Sequence, residues 1–283
     1  MERAGVLYLV PVPIGNAEDI TQRAIRTLRE VDVVAAEDTR DFGELARRHR
    51  LRTPSVSYHD HNERERAPEL LDRLRAGTSV ALVSDAGTPL LNDPGFRLVR
   101  AAIEAGVSVV ALPGPSAVTT ALAVSGLPAI PFRFCGFPPR TAAARRAWYR
   151  ALAHDDATLV CFEAPHRLIG SLEDAAAALG DRQAALARNL TKPHERVQRG
   201  RLRALAALLR GEGEVRGEAT VVIAGDPEGP AAAAAARAEE AAALLLEAGV
   251  GSRTVGDLLT RVHGLRRRET YDLIQRLQRS RHR

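Results

Sequence analysis

Short apolar runs alternate with helical segments through the first 128 residues, and this alternation limits the possible folds more than any other feature. Runs such as Ser79–Asp85 (SVALVSD) and Ser108–Pro113 (SVVALP) are almost continuously apolar. Strands of that composition are typical of parallel sheets whose two faces are both covered by helices. The predicted strands are Leu7–Pro13, Val31–Glu37, Val56–His59, Ser79–Asp85 and Ser108–Pro113, and the predicted helices are Asp19–Glu30, Asp41–His49, Glu63–Ala76, Gly95–Ala105 and Ser116–Ser125.

The same alternation resumes after a break at residues 126–131 and continues to about Gly225. Its predicted strands are Phe132–Phe137, Thr158–Glu163, Gln183–Leu190 and Glu218–Gly225, and its predicted helices are Arg140–Ala153, Pro165–Leu179 and Leu202–Arg210. The sequence therefore predicts an α/β fold with two α/β domains, residues 1–128 and 129–227.

A linker, Asp226–Pro230 followed by Ala231–Ala236, leads into a tail that is predicted to form three short helices between about Arg237 and Arg283. Ser252 is the predicted N-cap of the second helix, and a His263-Gly264 turn separates it from the third. Two helices joined by such a turn form a helix-turn-helix pattern, which is weak evidence by itself. We expect residues 228–283 to form a small helical domain.

Positive charge is concentrated in this tail. Nine arginines and three acidic residues give residues 251–283 a net charge of +6, whereas the whole chain carries +5. A basic segment of this kind suits a polyanion such as nucleic acid, and a solvated helix face is the alternative.

The remaining composition indicates a protein of the cytoplasm. No apolar run reaches the ~18 residues that span a membrane, and the first residues lack the layout of a signal peptide. Cys135 and Cys161 have neither CxxC spacing nor a nearby His pair. We expect both to be buried apolar residues of a reducing compartment, without a disulfide or a metal.

Four loops at the carboxyl ends of the predicted strands are rich in Gly, Pro, Ser, Thr and Asp. They are VPVPIGN (10–16), AAEDTR (35–40), SDAGTPLLNDPG (84–95) and LPGPSA (112–117). Ligands of open α/β sheets bind beyond these strand ends, and such loops expose backbone N–H and C=O groups. Each loop alone could be an ordinary turn, but four at one sheet edge predict a ligand site. The sequence lacks GxGxxG, a P-loop and HExxH, which argues against nicotinamide, nucleoside triphosphate and zinc-protease chemistry.

With these loops in view, the sequence resembles the tetrapyrrole-methylase superfamily. It is most similar to the branch that 2′-O-methylates a cytidine ribose in the decoding region of 16S ribosomal RNA. The matching segments are LVPVPIGNAEDIT (9–21), VVAAEDTR (33–40), HDHNE (59–63), LVSDAGTPLLNDPG (82–95), LPGPSA (112–117), FEAPHRL (162–168), NLTKPHE (189–195) and GEATVVIAG (217–225). The chain departs from the branch at Asn189, where an acid is usual, and at Ala219, where a bulkier residue is common.

The resemblance implies an S-adenosylmethionine donor in a cleft between the two α/β domains, with no metal. It also implies 16S ribosomal RNA in the 30S subunit as substrate, and a homodimer. Carried over by motif, the residues at the donor would be Pro13, Asp85, Ala86, Gly87, Thr88, Pro89, Ser116, Ala117, Phe162 and Leu190. Phe162 and Leu190 are equally natural as core residues.

The charged loop residues would face the RNA. Glu37 and Asp38 are candidate catalytic groups, and the candidate substrate-binding residues are Arg40, His61, Asn62, Glu63, His166, Arg167, Glu195, Arg266, Arg267 and Arg268. Two alternatives stay open. Asn62 could be a helix N-cap, and Arg167 could form a structural ion pair with Glu163 instead of gripping a phosphate.

Lys192 is the only lysine among 40 basic residues. Arginine stays protonated and cannot accept a proton, whereas a partly desolvated lysine can. Lys192 also follows the predicted strand Gln183–Leu190, so we expect it to project into the cleft. The sequence therefore predicts that Lys192 acts on the ribose hydroxyl, as general base or as the group that orients it. A surface lysine retained by chance is the alternative.

Two rival functions remain. Tetrapyrrole methylases of cobalamin or sirohaem synthesis usually carry a GxGxGD first loop and lack a basic tail, and VPVPIGN differs from that loop. A non-catalytic RNA-binding protein on a methylase fold would not need intact donor loops.

Overall fold

The computed structural model describes residues 5–213 and 215–281, and its first sheet contains five parallel strands in the order β3-β2-β4-β1-β5. They are β1 (Val6–Leu9), β2 (Val33–Ala36), β3 (Ser55–Ser57), β4 (Val80–Val83) and β5 (Ser108–Ala111). The predicted parallel sheet is confirmed. Each strand ends before its predicted limit, and the residues beyond it belong to the loop that follows.

The helices of this half are α1 (Gln22–Glu30), α2 (Thr39–His49), α3 (Glu63–Arg75), α4 (Phe96–Glu104) and α5 (Ala117–Ser125). Alternate residues of β2 and β4 point to opposite sheet faces. One face packs with α1 and α2, and the other packs with α3 and α4. The fifth helix instead packs Val118, Ala121 and Leu122 against the second sheet, so α5 ties the two halves together.

The second sheet has the order β6-β7-β10-β8-β9. Its strands are β6 (Phe132–Phe134), β7 (Thr158–Glu163), β8 (Gln183–Arg188), β9 (Arg196–Arg201) and β10 (Ala219–Ile223). The pair β6–β7 is parallel and the other pairs are antiparallel. Helices α6 (Ala142–Ala151), α7 (Leu168–Leu179) and α8 (Leu202–Glu212) cover one face. Strand β9 was not predicted, because it is a polar edge strand (RVQRGR) without an apolar run.

The two cysteines lie next to each other. Cys135 follows β6 and Cys161 lies in the neighbouring strand β7, and both are free thiols. Cys161 is buried as predicted, whereas Cys135 is only half-buried. A hydrogen bond to Cys135, together with burial, raises the pKa of Cys161.

The tail forms α9 (Gly229–Glu247), α10 (Ser252–His263) and α11 (Arg267–Arg281). The prediction of three helices is confirmed, but α9 is not short and begins inside the predicted linker. Gly251, not Ser252, occupies the N-cap of α10. The three helices share a small core of their own, which includes Ala242, Leu259 and Ile274. Within the described ranges, no helix combines the length and apolar character needed to cross a membrane.

Candidate active site

A cavity of about 430 Å³ lies where the loops of the first sheet face the second sheet. The first sheet contributes the loop after β4, from Asp85 to Asp93, and the start of α5. The second sheet contributes residues from the ends of β7, β8 and β10, among them Phe162, Ala187 and Thr220. This wall is mainly apolar, so the cavity has one polar side and one apolar side.

Backbone groups of the loop after β4 approach this cavity closely. Gly87 has a φ of +78°, a left-handed conformation that favours glycine. Two hydrogen bonds of 2.9 and 3.0 Å join its backbone to Val12 in the first loop. A Cβ at Gly87 would lie 3.3 Å from Cγ2 of Ile14, and Thr88 Oγ1 donates to the carbonyl of Pro115 at 3.0 Å. These contacts hold three of the predicted ligand loops together.

Most of the predicted donor residues meet at this cavity. The predicted donor residues that line it are Asp85, Ala86, Gly87, Thr88, Ser116, Ala117, Phe162 and Leu190. Pro13 lines a neighbouring cavity instead, and Pro89 is buried and lines neither. The Phe162 ring also packs against Phe134 and Phe137, with centroids 4.9 and 5.5 Å away. Phe162 is therefore both a packed core residue and part of the cavity wall.

Carboxyl groups crowd the polar side of the cavity. Glu37 was a candidate catalytic residue, whereas Asp93 was not singled out, although it lies inside the segment SDAGTPLLNDPG; both line the cavity. Burial raises the pKa of Glu37 and that of Asp85. Burial, reinforced by the nearby charge of Glu37, raises the pKa of Asp93 to about 7. A carboxyl group that titrates near neutral pH can exchange protons under physiological conditions.

The raised pKa of Asp93 gives a testable effect on stability. The unfolded chain ionises this carboxyl near its ordinary value of 3.8, whereas the folded protein ionises it near 7, so stability falls as pH rises between these values. Asp93→Asn removes the cost of ionising this carboxyl in the folded protein at pH 8. Without ligand, it should raise the Tm at that pH by about 2 °C, because solvent screening limits the gain in unfolding free energy to less than ~1 kcal/mol. Calorimetry at pH 5 should show a clearly smaller gain; an equal gain at both pH values would contradict the titration.

A second cavity, of about 620 Å³, adjoins the first. Ile14, Asp85, Ala86 and Glu218 line both, so these four residues form the junction. The second cavity runs along α2 and includes Pro13 and Lys192. Two ligands could therefore meet at the junction, one from each side.

Lys192 lines the second cavity and forms an ion pair with Glu218, one of the four junction residues. Its Nζ donates to Oε1 of Glu218 at 2.8 Å, and its side chain is 32% exposed. The aliphatic part packs on the first loop so tightly that a Cβ at Gly15 would lie 2.5 Å from Cγ of Lys192. In addition, the N–H of Asn16 donates to Oγ1 of Thr191 at 3.0 Å. Glycine at position 15 thus lets the two halves close around Lys192. Glu218 had not been singled out.

Asn189 supports the same junction. Its φ is +52°, which asparagine tolerates better than most residues. Its Oδ1 accepts a hydrogen bond of 3.2 Å from the backbone N–H of Glu218. A Cβ at Gly217 would overlap the Asn189 side chain. The residue that departs from the family pattern therefore positions the backbone of Glu218.

Several predicted residues near the first sheet do not reach either cavity. Asp38 is the N-cap of α2, and it binds the backbone N–H and the guanidinium of Arg40. Those hydrogen bonds lower the pKa of Asp38 to about 2. Such a carboxylate is a poor proton acceptor. Asp38, a candidate catalytic group from the sequence, is thus a helix cap in the structure.

The HDHNE segment is also placed outside the cavities. His61 is exposed. Asn62 occupies the N-cap position of α3, but its side chain closes a local turn, accepting from the N–H of His59 at 2.8 Å. Glu63 pairs with Arg97 at 2.7 Å.

The FEAPHRL and NLTKPHE segments contain further structural contacts. Arg167 pairs with the buried Glu163 at 2.6 Å, so the ion-pair alternative is the one that the structure shows. His166 is exposed. Glu195 accepts a hydrogen bond of 2.6 Å from the N–H of Thr191 and braces the Lys192 loop. Neither His166, Arg167 nor Glu195 lines the two cavities.

Arg266, Arg267 and Arg268 lie far along the chain, at the start of α11, and all three are exposed. Oε2 of Glu269 accepts a hydrogen bond of 2.9 Å from the N–H of Arg266 and caps this helix end. Within the described part of the chain, none of the three arginines has a carboxylate partner within ion-pair distance.

Comparison with known proteins assigns the family. Residues 6–206 match the family described as tetrapyrrole (corrin/porphyrin) methylases. A ribosomal RNA small subunit methyltransferase I from Micromonospora olivasterospora is 53% identical over 96% of this chain and 87% of that relative. A protein of the same name from Escherichia coli O157:H7 is 42% identical over 94% of this chain and 93% of its own length.

A solved structure shares the fold and carries a ligand. It is the uroporphyrin-III C-methyl transferase from Thermus thermophilus complexed with S-adenyl homocysteine, which is 25% identical, with a TM-score of 0.52 over 78% of this chain and 97% of that one. Three observations indicate the same family: the two-sheet architecture, the extent of the family match, and the identity to relatives along nearly the whole chain. The chain is therefore a methyltransferase of the tetrapyrrole (corrin/porphyrin) methylase family, and within it belongs to the ribosomal RNA small subunit methyltransferase I group.

Proposed function

We propose that this protein uses S-adenosylmethionine to 2′-O-methylate a cytidine ribose in 16S ribosomal RNA of the 30S subunit, in the cytoplasm and as a homodimer. The observation that carries the proposal is the pair of cavities that meet at Ile14, Asp85, Ala86 and Glu218. One cavity suits the donor and the other suits the target nucleotide. The names of the relatives support an RNA substrate.

The 430 Å³ cavity fits the donor. Its apolar wall at Phe162 and Leu190 can cover an adenine ring, and the loop around Gly87 can bind the polar methionine end. The carboxyl groups of Glu37 and Asp85 add negative charge near a cationic ligand. When bound, S-adenosylmethionine supplies a methyl group that is already activated for transfer. The S-adenyl homocysteine in the related structure supports this class of donor.

Lys192 and Glu218 are placed to handle the ribose hydroxyl. That oxygen must lose its proton as it forms the new bond to carbon. As observed, one N–H of Lys192 donates to Glu218, which leaves the other two N–H groups of the ammonium to hold and orient the hydroxyl. Lys192 becomes a proton acceptor once it has passed a proton to Glu218 or to solvent. Glu218 therefore gives the proton a route out of the junction.

Charge on the tail supports contact with RNA. Arg266, Arg267 and Arg268 lie in or before the first turn of α11, where the helix dipole disfavours positive charge. Their position thus costs some helix stability, only partly offset by the Glu269 cap. A polyanionic partner would explain three adjacent arginines at this end. We propose that they bind phosphates of the RNA backbone.

Changing these three arginines to glutamine in the full-length protein should weaken binding to 30S subunits and flatten its salt dependence. Each lost phosphate contact removes ~0.7 from the slope of log K against log salt, so the slope should fall by about two. Filter binding across a potassium chloride series measures this change, and calorimetry with S-adenosylmethionine should show unaltered donor affinity. If the slope of log K against log salt stays unchanged, these arginines do not bind RNA phosphates.

The experiment that tests the function is a methylation assay on 30S subunits with the modified nucleotide mapped by mass spectrometry. A ribose 2′-O-methylcytidine supports the proposal, whereas a base methylation or an unmodified subunit contradicts it. Uroporphyrinogen III in a parallel reaction tests the rival tetrapyrrole function. If the protein binds RNA but shows no heat with S-adenosylmethionine, the non-catalytic alternative replaces the proposal.

A further inference from the structure

Six arginines on one side of the first domain have no carboxylate partner among the residues that the structure describes. They are Arg23, Arg26 and Arg29 on α1, Arg47 and Arg48 on α2, and Arg52 beyond it, and we refer to them as the α1–α2 arginine surface. All six are exposed, and none forms an ion pair with any described residue. The helices are neighbours on one sheet face, and a guanidinium nitrogen of Arg29 donates to the carbonyl of His49 at 3.4 Å.

The opposite side of the same domain is different. Five of the six arginines on α3 and α4 pair with a nearby acid, at distances from 2.6 to 3.9 Å. Examples are Arg66 and Arg73, which both bind Glu69, and Arg100, which binds Glu104. Both sides come from one arginine-rich sequence, so composition alone does not explain why the unpaired arginines are concentrated on one side.

The helix dipoles explain the positions of only some arginines of this surface. Arg47 and Arg48 lie in the last turn of α2, where positive charge is favourable. Arg23, however, lies in the first turn of α1, where it is unfavourable. Glu30 and Glu44 lie on the same two helices without pairing with these arginines. The guanidinium groups therefore keep donors available for a ligand with acceptor oxygens.

The surface is continuous with the site. Arg47 and Arg48 line the 620 Å³ cavity, whose other residues include Pro13 and Lys192. A strand that placed one nucleotide in this cavity would run its flanking phosphates along α2 and α1. Arginine binds phosphate bidentately, and unpaired surface arginines produce the positive field that attracts RNA.

We propose that the α1–α2 arginine surface binds the phosphate backbone of the RNA that flanks the target nucleotide. This inference rests on the proposed function and adds an RNA contact in the first domain, separate in sequence from the basic tail. The partner is ribosomal RNA, because the surface is joined to the cavity assigned to its nucleotide.

The test compares two full-length triple variants with the same change in charge. Arg23→Gln, Arg26→Gln and Arg52→Gln remove three charges from the surface, none of them at the cavity. Arg66→Gln, Arg73→Gln and Arg100→Gln remove three paired charges from the opposite side as the control; exposed ion pairs contribute little stability. Circular dichroism and calorimetry with S-adenosylmethionine establish that both variants fold and bind the donor.

Binding to 30S subunits is then measured across a potassium chloride series. We expect the slope of log K against log salt to fall by about two for the surface variant and to stay unchanged for the control. Equal slopes for the wild type and the surface variant would overturn the inference, as would an equal loss in both variants, which would indicate a general effect of net charge. If the wild type neither binds nor methylates 30S subunits, the proposed function itself fails, which is a distinguishable result.

Discussion

Replacing Gly87 by valine should abolish S-adenosylmethionine binding by a protein that still folds. The first reason is space, because a Cβ at this position already lies 3.3 Å from Ile14, and the valine methyl groups would extend into the 430 Å³ cavity. The second is conformation, because the φ of +78° suits glycine and strains a β-branched residue by about 1–3 kcal/mol. Relaxing that strain would also disturb the two hydrogen bonds to Val12.

Gly106→Val is the matched control for this experiment. Gly106 has a similar φ of +71°, but nothing lies within 4 Å of a Cβ there and it lines neither cavity. Both variants therefore carry the backbone strain, and only Gly87→Val carries the obstruction. Calorimetry should detect donor binding by the control and none by Gly87→Val, with circular dichroism confirming both folds. Equal donor affinity in the two variants would place the donor elsewhere.

The first sheet could be predicted from sequence because its strands are buried on both faces. Runs such as Val80–Val83 must then be apolar throughout, and the helices between them reveal parallel connections. The edge strand Arg196–Arg201 has a single apolar side chain, that of Val197, and no fully buried residue, so it carries no such signal. The first residue of α9 could not be predicted either, because the Gly-Pro pair at its first positions is as common in turns as at a helix N-terminus.

The candidate site was predictable where backbone forms it and less so where side chains do. Glycine-rich loops at strand ends reveal the approach of backbone to a ligand, and the residues around Gly87 do line the cavity. A charged side chain in such a loop has competing partners that sequence does not show. Asp38 accepts hydrogen bonds from Arg40, and Arg167 forms an ion pair with Glu163. Asp93 and Glu218 gave no signal because their importance depends on what the fold brings close to them.

Lys192→Arg should lower methyl transfer to 30S subunits by roughly 10²–10⁴-fold, the usual scale for loss of a general base. The substitution keeps a positive charge that can still pair with Glu218, but it removes the amine that can release and accept a proton. Donor affinity should change little, because Lys192 lines the 620 Å³ cavity and not the donor cavity.

Lys192→Gln separates the possible roles of this residue, since it is neutral and cannot act as a base. If Lys192 accepts the proton, single-turnover rates fall in both variants, and both lose the rise in rate with pH that marks deprotonation of a base in the wild type. If Lys192 only orients the hydroxyl or contacts phosphate, the arginine variant keeps most of its rate and the glutamine variant does not. Near-normal turnover by Lys192→Arg would therefore eliminate the base role. The carboxyl groups of Glu218, Glu37 and Asp93, which line the donor cavity, would then be the candidates to accept the proton.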